Sequence, residues 1–211
     1  MDIPVPIYKR LPLYVRELRN CIKRDVGYIS SKQLGKAIGV TAETVRQDFV
    51  HLPCVGCRGK GYQVEELYET FKSVLGWDNR KKMVIIGTNY LARALWEDTS
   101  IDYCGFIIVG VFSFSRDRCT CWKDIPVKPF ETLQEIEFDV GVIATGVDDA
   151  QLVANKLVEA GAEGIWSFAN TTLVVPAHVS VVYHNICHSL SFLTKQFQRP
   201  SYKAEMSRFD R

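Results

Sequence analysis

Val84-Ile85-Ile86-Gly87-Thr88-Asn89-Tyr90-Leu91-Ala92 is an apolar strand that runs into a turn and then into a helix. A turn of this kind that holds a dinucleotide needs glycine at its first position in order to bend. It needs glycine at the second so that backbone can approach pyrophosphate, and glycine or alanine at the third so that the helix packs closely. Gly87 meets the first need and Ala92 the third, whereas Asn89 stands at the second. Asparagine tolerates left-handed backbone better than most residues, but its side chain crowds the phosphates. Gly87, Thr88, Asn89, Tyr90, Leu91 and Ala92 are thus candidate cofactor-binding residues in a damaged loop. The expectation is weak or absent dinucleotide binding compared with a glycine-complete turn.

Outward from this turn the chain alternates between two periods. Apolar strand segments at 83–86, 106–112, 140–145, 164–168 and 179–183 are interleaved with helical segments at about 89–97 and 148–160. Such alternation predicts an α/β fold with a Rossmann-like, doubly wound parallel sheet. At the end of the second strand, where an acid would hold the adenosine ribose, stands Ser113. Ser113 with Arg116 or Arg118 suits a 2′-phosphate instead. Ile186, Leu190, Leu193 and Phe197 mark one last amphipathic helix, and the polar stretch 199–211 reads as frayed.

Upstream the pattern is helical. Residues 1–7 are Pro-spaced and read as an irregular arm; a helix is expected from Pro12, in its first turn, to about Arg24. Ser30 or Ser31 caps a second helix that buries Leu34, Ala37 and Ile38 and ends at Gly39. Thr41 caps a third, with Val45 and Phe49 inward and Glu43, Thr44, Arg46 and Gln47 outward. Helix, tight turn and polar-faced helix form the helix-turn-helix pattern. The glycine-rich stretch 53–62, with Arg58 and Lys60 between its glycines, reads as a wing, and Val64, Leu67, Phe71 and Leu75 stripe a fourth helix. The domain boundaries expected are 1–80 for a winged-helix DNA-binding domain and 81–199 for a Rossmann-like domain. A flexible tail at 200–211 follows.

Charge separates the same halves. Residues 1–82 hold 15 Lys+Arg against 9 Asp+Glu, and the remainder 11 against 15, so a basic head precedes an acidic body. That asymmetry fits nucleic-acid contact at one end. Arg46 is the candidate base reader, since a guanidinium pairs bidentately with a guanine edge, and Gln47 suits adenine or faces water. Lys9, Arg10, Arg16, Arg58 and Lys60 are phosphate candidates, which give register without sequence readout. Ser31, Thr41 and Thr44 complete the DNA-binding set. The alternative is that these are solvated charges on a small helical domain.

Several classes are disfavoured. No apolar run approaches the ~20 residues of a membrane span, and the chain opens on no leader, so a cytoplasmic protein is expected. Seven cysteines without secretion argue against a disulfide framework. Cys54/Cys57 and Cys119/Cys121 leave thiol or metal sensing as an alternative, although no metal site is assigned, since the two pairs need not be neighbours. A small NAD(P)-dependent oxidoreductase is a further alternative. No substrate domain and no convincing acid–His pair or Tyr-x-x-x-Lys stands behind it, so no catalytic residue is assigned and no enzyme is expected.

Taken in order, these segments resemble the Rex family of bacterial redox-sensing transcriptional repressors. Arg10-Leu11-Pro12-Leu13-Tyr14 is similar to that family's first helix, and Val45-Arg46-Gln47-Asp48 to its recognition helix. Arg58-Gly59-Lys60-Gly61-Tyr62 resembles its wing, 157–169 a late Rossmann stretch, and His184-Asn185-Ile186 the start of its C-terminal helix. The resemblance implies double-stranded operator DNA as partner, NAD(H) as cofactor, and a homodimer through a swapped C-terminal helix. It also implies that NADH releases the operator while NAD+ permits binding. Against the family pattern, Asn89 replaces a loop glycine, Ser113 the ribose Asp, Gln47 a Lys and Cys187 an Asp. Ala144-Thr145-Gly146 stands where the family has Thr-Val-Pro, which adds Thr145 and Gly146 to the cofactor candidates.

Overall fold

The computed structural model describes residues 3–57, 59–114, 126–185, 190–191, 193–194 and 197. Two compact units divide the chain, 1–80 and 81–211.

The first unit is helical. Helix α1 spans Val5–Lys23, α2 Ser31–Ile38, α3 Ala42–Val50 and α4 Val64–Val74; strands β1, Tyr28–Ile29, and β2, Tyr62–Gln63, pair antiparallel. The expected irregular arm and a start at Pro12 are both corrected, because α1 begins at Val5 and carries Pro12 inside it. Pro6 falls in the first turn, where a backbone N–H has no intrahelical acceptor. Pro12 forfeits one helical bond. The stripe Ile7, Leu11, Tyr14, Val15, Leu18 and Cys21 is buried along its length, and that burial outweighs the loss, since each large apolar side chain is worth about 2 kcal/mol.

Residues from all four helices fill one core, in which Phe49 meets the rings of Tyr14, Phe71 and Tyr62 at centroid distances of 5.5, 5.3 and 4.8 Å. Asp48 is the charged residue sunk into this unit, at 3 % exposure. Its carboxylate accepts from Arg10 Nε at 2.7 Å, Arg10 Nη2 at 2.6 Å and the Tyr14 hydroxyl at 2.7 Å. Burial, and then the Asp48 hydrogen bond, push the Tyr14 hydroxyl well above its ordinary range. Three donors from α1 thereby satisfy one acid on α3 and fix the two helices to each other.

The second unit is a six-stranded parallel sheet in the order β5-β4-β3-β6-β7-β8. Its strands are β3 Lys81–Ile86, β4 Phe106–Ser113, β5 Val127–Pro129, β6 Val140–Ile143, β7 Gly164–Ser167 and β8 Ser180–Tyr183. Strand β5 is an addition to the expected set, a three-residue edge with prolines at 126 and 129. Proline is tolerated at a sheet edge, where no ladder bond is owed. Helices α5, Tyr90–Glu97, and α6, Ser100–Tyr103, precede β4, while α7, Val147–Glu159, joins β6 to β7.

Two cores lie in this unit. Ala92 of α5 packs with Met83, Ile85, Val111 and Val142, whereas Ala150, Val153, Ala154 and Leu157 of α7 pack with Val84, Ile86 and Ile143. Successive residues of a strand face opposite sides, so α5 and α7 cover opposite faces. Gly141 makes the α7 contact possible: a methyl group there would lie 2.4 Å from a Leu157 methyl. Strands β3 and β6 are neighbours whose helices leave in opposite directions, so the gap beyond their carboxyl ends is a topological switch point, where open α/β sheets bind ligands.

Candidate nucleic-acid interface and nucleotide crevice

In the first unit the turn between α2 and α3 is fixed by two glycines. Gly39 takes φ +79°, and a side chain on Gly35 would meet the Val40 carbonyl at 2.7 Å. Helix α2 begins on a capping box in which Ser30 Oγ accepts from Gln33 N and Gln33 Oε1 accepts from Ser30 N. Thr41 caps α3, accepting from Thr44 N at 3.0 Å, and its hydroxyl lies 2.8 Å from that of Thr44. Thr41 and Thr44 are thus engaged with each other.

Arg46 projects from α3 with about half its side chain exposed. Its Nε and Nη2 donate to Glu43 Oε2 at 3.0 and 2.5 Å, and Nη1 donates to Ser31 Oγ at 3.3 Å. Helix α2 and α3 together therefore hold one guanidinium in place, so less side-chain freedom remains to be lost on docking. Gln47 is exposed beside it. Val50, 82 % exposed, completes a face with Glu43, Arg46 and Gln47. Four-residue spacing from Arg46 signals Val50 in the sequence, but an apolar type draws attention to the core. Facing outward, it suits a thymine methyl.

The wing turns through Gly59 and Gly61, both at positive φ, and a side chain on Gly61 would strike the Ile29 carbonyl at 2.5 Å. Cys57 and Gly61 bridge antiparallel, and Lys60 Nζ stands 5.7 Å from the Tyr28 ring centroid. Ser30, Ser31, Lys60 and Tyr62 line one shallow groove, so the wing and the start of α2 are adjacent. Lys9 and Arg16 are exposed on α1, seven residues apart and so on one face. Arg10 departs from the expectation of a phosphate contact, because its guanidinium is committed to Asp48. Arg58 lies outside the described residues.

The cysteines of the wing differ from each other. Burial pushes the Cys54 thiol up to about 11, and its sulfur donates to the Phe49 carbonyl; Cys57 is exposed. Thiolate is the reacting form, and at pH 8 only about one Cys54 in a thousand carries it by that shift. Iodoacetamide at pH 8 is expected to alkylate Cys57 well before Cys54, read by peptide mass spectrometry; equal rates would contradict this. Among the described residues no group of three or more His, Cys, Asp or Glu could hold a metal. Cys119, Cys121, Arg116, Arg118 and Cys187 lie outside them.

In the second unit Gly87 closes the turn at φ +131°, its N–H donating to the Phe112 carbonyl at 2.8 Å. A side chain there would lie 2.5 Å from the Ala144 carbonyl oxygen, so the position admits only glycine. Ala92 is fully buried, as close helix packing requires. Asn89 caps α5: its Oδ1 accepts from Ala92 N at 3.0 Å and its Nδ2 donates to the Ala144 carbonyl at 2.7 Å. Thr88 and Leu91 are half-buried, and Tyr90 is almost wholly exposed in the first turn of α5. Ser113, at the end of β4, is 8 % exposed.

Across the crevice, Gly146 caps α7 with no side chain to satisfy the first N–H groups. Thr145 Oγ1 and Ser167 Oγ are buried with no hydrogen-bond partner among the described residues. They stand at the ends of adjacent strands. Unpartnered buried hydroxyls are costly, and a polar ligand seated at the switch point would use them. Ser167 carries no sequence signal, since nothing in its apolar strand marks it as other than a small core residue. The Gly87 turn and the two unpartnered hydroxyls thus have the chemistry a dinucleotide would use at a switch point, and Asn89 stands where such a loop has its second glycine.

A helix-turn-helix head with a wing, followed by a parallel sheet open at its switch point, defines a class: DNA-binding regulators that carry a nucleotide-type body. Two family models match, one described as "Putative DNA-binding protein N-terminus" over residues 2–49 and one as "CoA binding domain" over residues 78–171. The chain belongs to the Rex family of redox-sensing transcriptional repressors. It is 36 % identical to the redox-sensing transcriptional repressor Rex of Clostridium botulinum (strain Alaska E43 / Type E3), covering 94 % of this chain and 97 % of that one. To that of Thermoanaerobacter sp. (strain X514) it is 34 % identical, over 93 % and 89 %. Among solved structures, the Rex-family repressor RSP with β-NAD+ and operator DNA matches at TM-score 0.79 and 32 % identity, covering 99 % of this chain and 96 % of that one. RSP with β-NADH matches at TM-score 0.79 and 30 % identity, each chain covered in full.

Proposed function

We propose that this chain represses transcription as a homodimer, binding double-stranded operator DNA through residues 1–80 and NAD(H) through residues 81–199, with NADH favouring release. The observation that carries the reading is Arg46, held outward by Glu43 and Ser31 beside the wing. Arg46, Gln47 and Val50 read base edges, while Lys9, Arg16, Lys60 and Arg58 meet phosphates. Thr41, Thr44 and Ser31 position the reading helix rather than read. Gly87, Asn89, Thr145, Gly146 and Ser167 border the cofactor, and Thr88, Tyr90, Leu91 and Ser113 flank it.

The RSP structures support the sense of the switch, since RSP is seen with β-NAD+ and operator DNA together and, separately, with β-NADH. A ligand shifts such an equilibrium only by its differential affinity for the two arrangements. Leu190, Leu193 and Phe197, each about half exposed at helical spacing, support a C-terminal helix that pairs with a second copy. A cytoplasmic location follows from this role; no described helix is long and apolar enough to cross a membrane. The chain is a regulator rather than an enzyme.

Gel shift with a palindromic operator at physiological salt, with and without NADH, tests the reading; no shift in either condition would sink it. Arg46→Ala is expected to weaken operator binding by about 2 kcal/mol, roughly thirtyfold, and to relax base preference at one position per half-site. Lys60→Ala is expected instead to weaken all sequences alike and to reduce the salt slope by about 1. Undiminished selectivity in Arg46→Ala would remove it from base readout.

A further inference from the structure

We infer that Asn89 is a latch across the nucleotide crevice, which a dinucleotide must displace, so that this one side chain sets the affinity of the body for NAD(H). The inference rests on the dinucleotide reading above and adds a competitor built into the chain. In a glycine-complete loop the second position has no side chain, and backbone N–H groups of the following helix face the pyrophosphate. Here the Asn89 carboxamide already sits in that place. Its oxygen takes the Ala92 N–H at 3.0 Å, and its nitrogen donates to the Ala144 carbonyl at 2.7 Å. The first contact uses a donor at the start of α5 that an anion would otherwise find open.

The second contact does more, because it joins the end of β3 to the end of β6. Those are the two strands that flank the switch point, and the crevice between them is where ligand must enter. Ala144 O accepts the Asn89 hydrogen bond and lies where any side chain on Gly87 would strike it, so the two elements meet closely there. Nothing in the backbone calls for asparagine. Asn89 takes φ −78° and ψ 176°, extended geometry open to any residue. The position therefore does not need a residue tolerant of left-handed backbone, and what asparagine contributes is its carboxamide. Across the gap, the buried Thr145 and Ser167 hydroxyls have no hydrogen-bond partner among the described residues, and no side chain caps the start of α7.

Opening the latch costs a dinucleotide two hydrogen bonds that the empty protein already has. A net bond of ordinary strength corresponds to about tenfold in affinity, or about 1.4 kcal/mol. Asn89→Gly removes the latch, keeps the permitted backbone and restores the open loop. NADH affinity, measured by calorimetry on the full-length protein, is expected to rise about tenfold, while the melting temperature without ligand falls slightly. Asn89→Asp keeps the cap on Ala92 N, loses the donor to Ala144 and places a carboxylate against the pyrophosphate; its affinity is expected to fall at least tenfold. Asn89→Ala, which lacks both contacts without the freedom of glycine, should also bind more tightly than the wild type and serves if the glycine variant melts too low.

The affinity order Gly and Ala above Asn above Asp supports the latch, also where wild-type binding is too weak to measure and the glycine variant brings it into range. A folded Asn89→Gly protein that binds NADH no better than the wild type, or not at all, overturns it. Operator release is a separate readout. If the affinity order holds but NADH fails to release operator from any variant, the redox reading falls and the latch stands.

Discussion

Asp48→Ala is expected to unfold the DNA-binding unit at temperatures where the wild type is native, with a loss of about 3 kcal/mol. Removing one member of a buried ion pair costs about 3–5 kcal/mol, because its partner is left without compensation. Arg10 keeps 28 % of its side chain exposed and recovers part of its hydration, which favours the lower end of that range. Tyr14 has no such recourse. It is fully buried, and its hydroxyl would have no acceptor, at a cost of about 1–3 kcal/mol in itself. For a unit of this size, about 3 kcal/mol lowers the melting temperature by roughly 15 °C. Asp48→Asn, which retains one acceptor, should fall between the two. The check is urea denaturation of full-length protein together with operator binding at 25 and 42 °C. A loss below about 1 kcal/mol for Asp48→Ala would mean that the triad does not fasten α1 to α3.

The second large effect falls on the other unit. Gly87→Ala places a methyl group 2.5 Å from the Ala144 carbonyl oxygen at a φ of +131°, a conformation that L-residues scarcely adopt. Neither neighbour is a flexible side chain, so the strain cannot be relieved by a rotamer change. The body is expected to lose about 3 kcal/mol, and with it the register between the ends of β3 and β6. Hydrogen exchange on the full-length protein separates this from a global effect. Amides of β3, β4 and β6 should lose protection while those of α1 and α4 keep theirs. Unchanged exchange in β6 would show that the turn relaxes without disturbing its neighbour.

How much of this is legible in the sequence depends on whether the cause is local. Helix α3 is readable because period and caps agree: Thr41 caps, Val45 and Phe49 point in, and Arg46 and Gln47 point out. The strands β3, β4 and β6 are readable because strands buried on both faces are continuously apolar. The start of α1 is not, since Pro6 and Pro12 are local breakers overruled by a buried stripe that only tertiary contact rewards. Strand β5 is too short to carry a period, and β1 is two residues whose pairing with β2 is thirty-odd positions away.

In the candidate sites the same division holds. Gly87, Asn89 and Ala92 are marked by loop chemistry, and Asn89 stands out there as the departure from glycine. That its carboxamide caps one element and ties it to another depends on Ala144, a residue from a distant strand. Arg10 looks like a surface cation because its partner lies 38 positions away. Ser167 and Val50 give no signal by residue type, one hidden in an apolar strand and the other exposed at the end of a helix.

Leu157 rests directly over Gly141, with no room between them for a single carbon. The missing methyl sets how low α7 rides on the sheet, and α7 begins at the mouth of the ligand crevice, at Thr145 and Gly146. A side chain added at 141 would have to displace Leu157 from its place over the sheet. On the dinucleotide reading proposed above, the fit of α7 at the ligand's edge would then depend on a sheet position outside the residues placed at the cofactor.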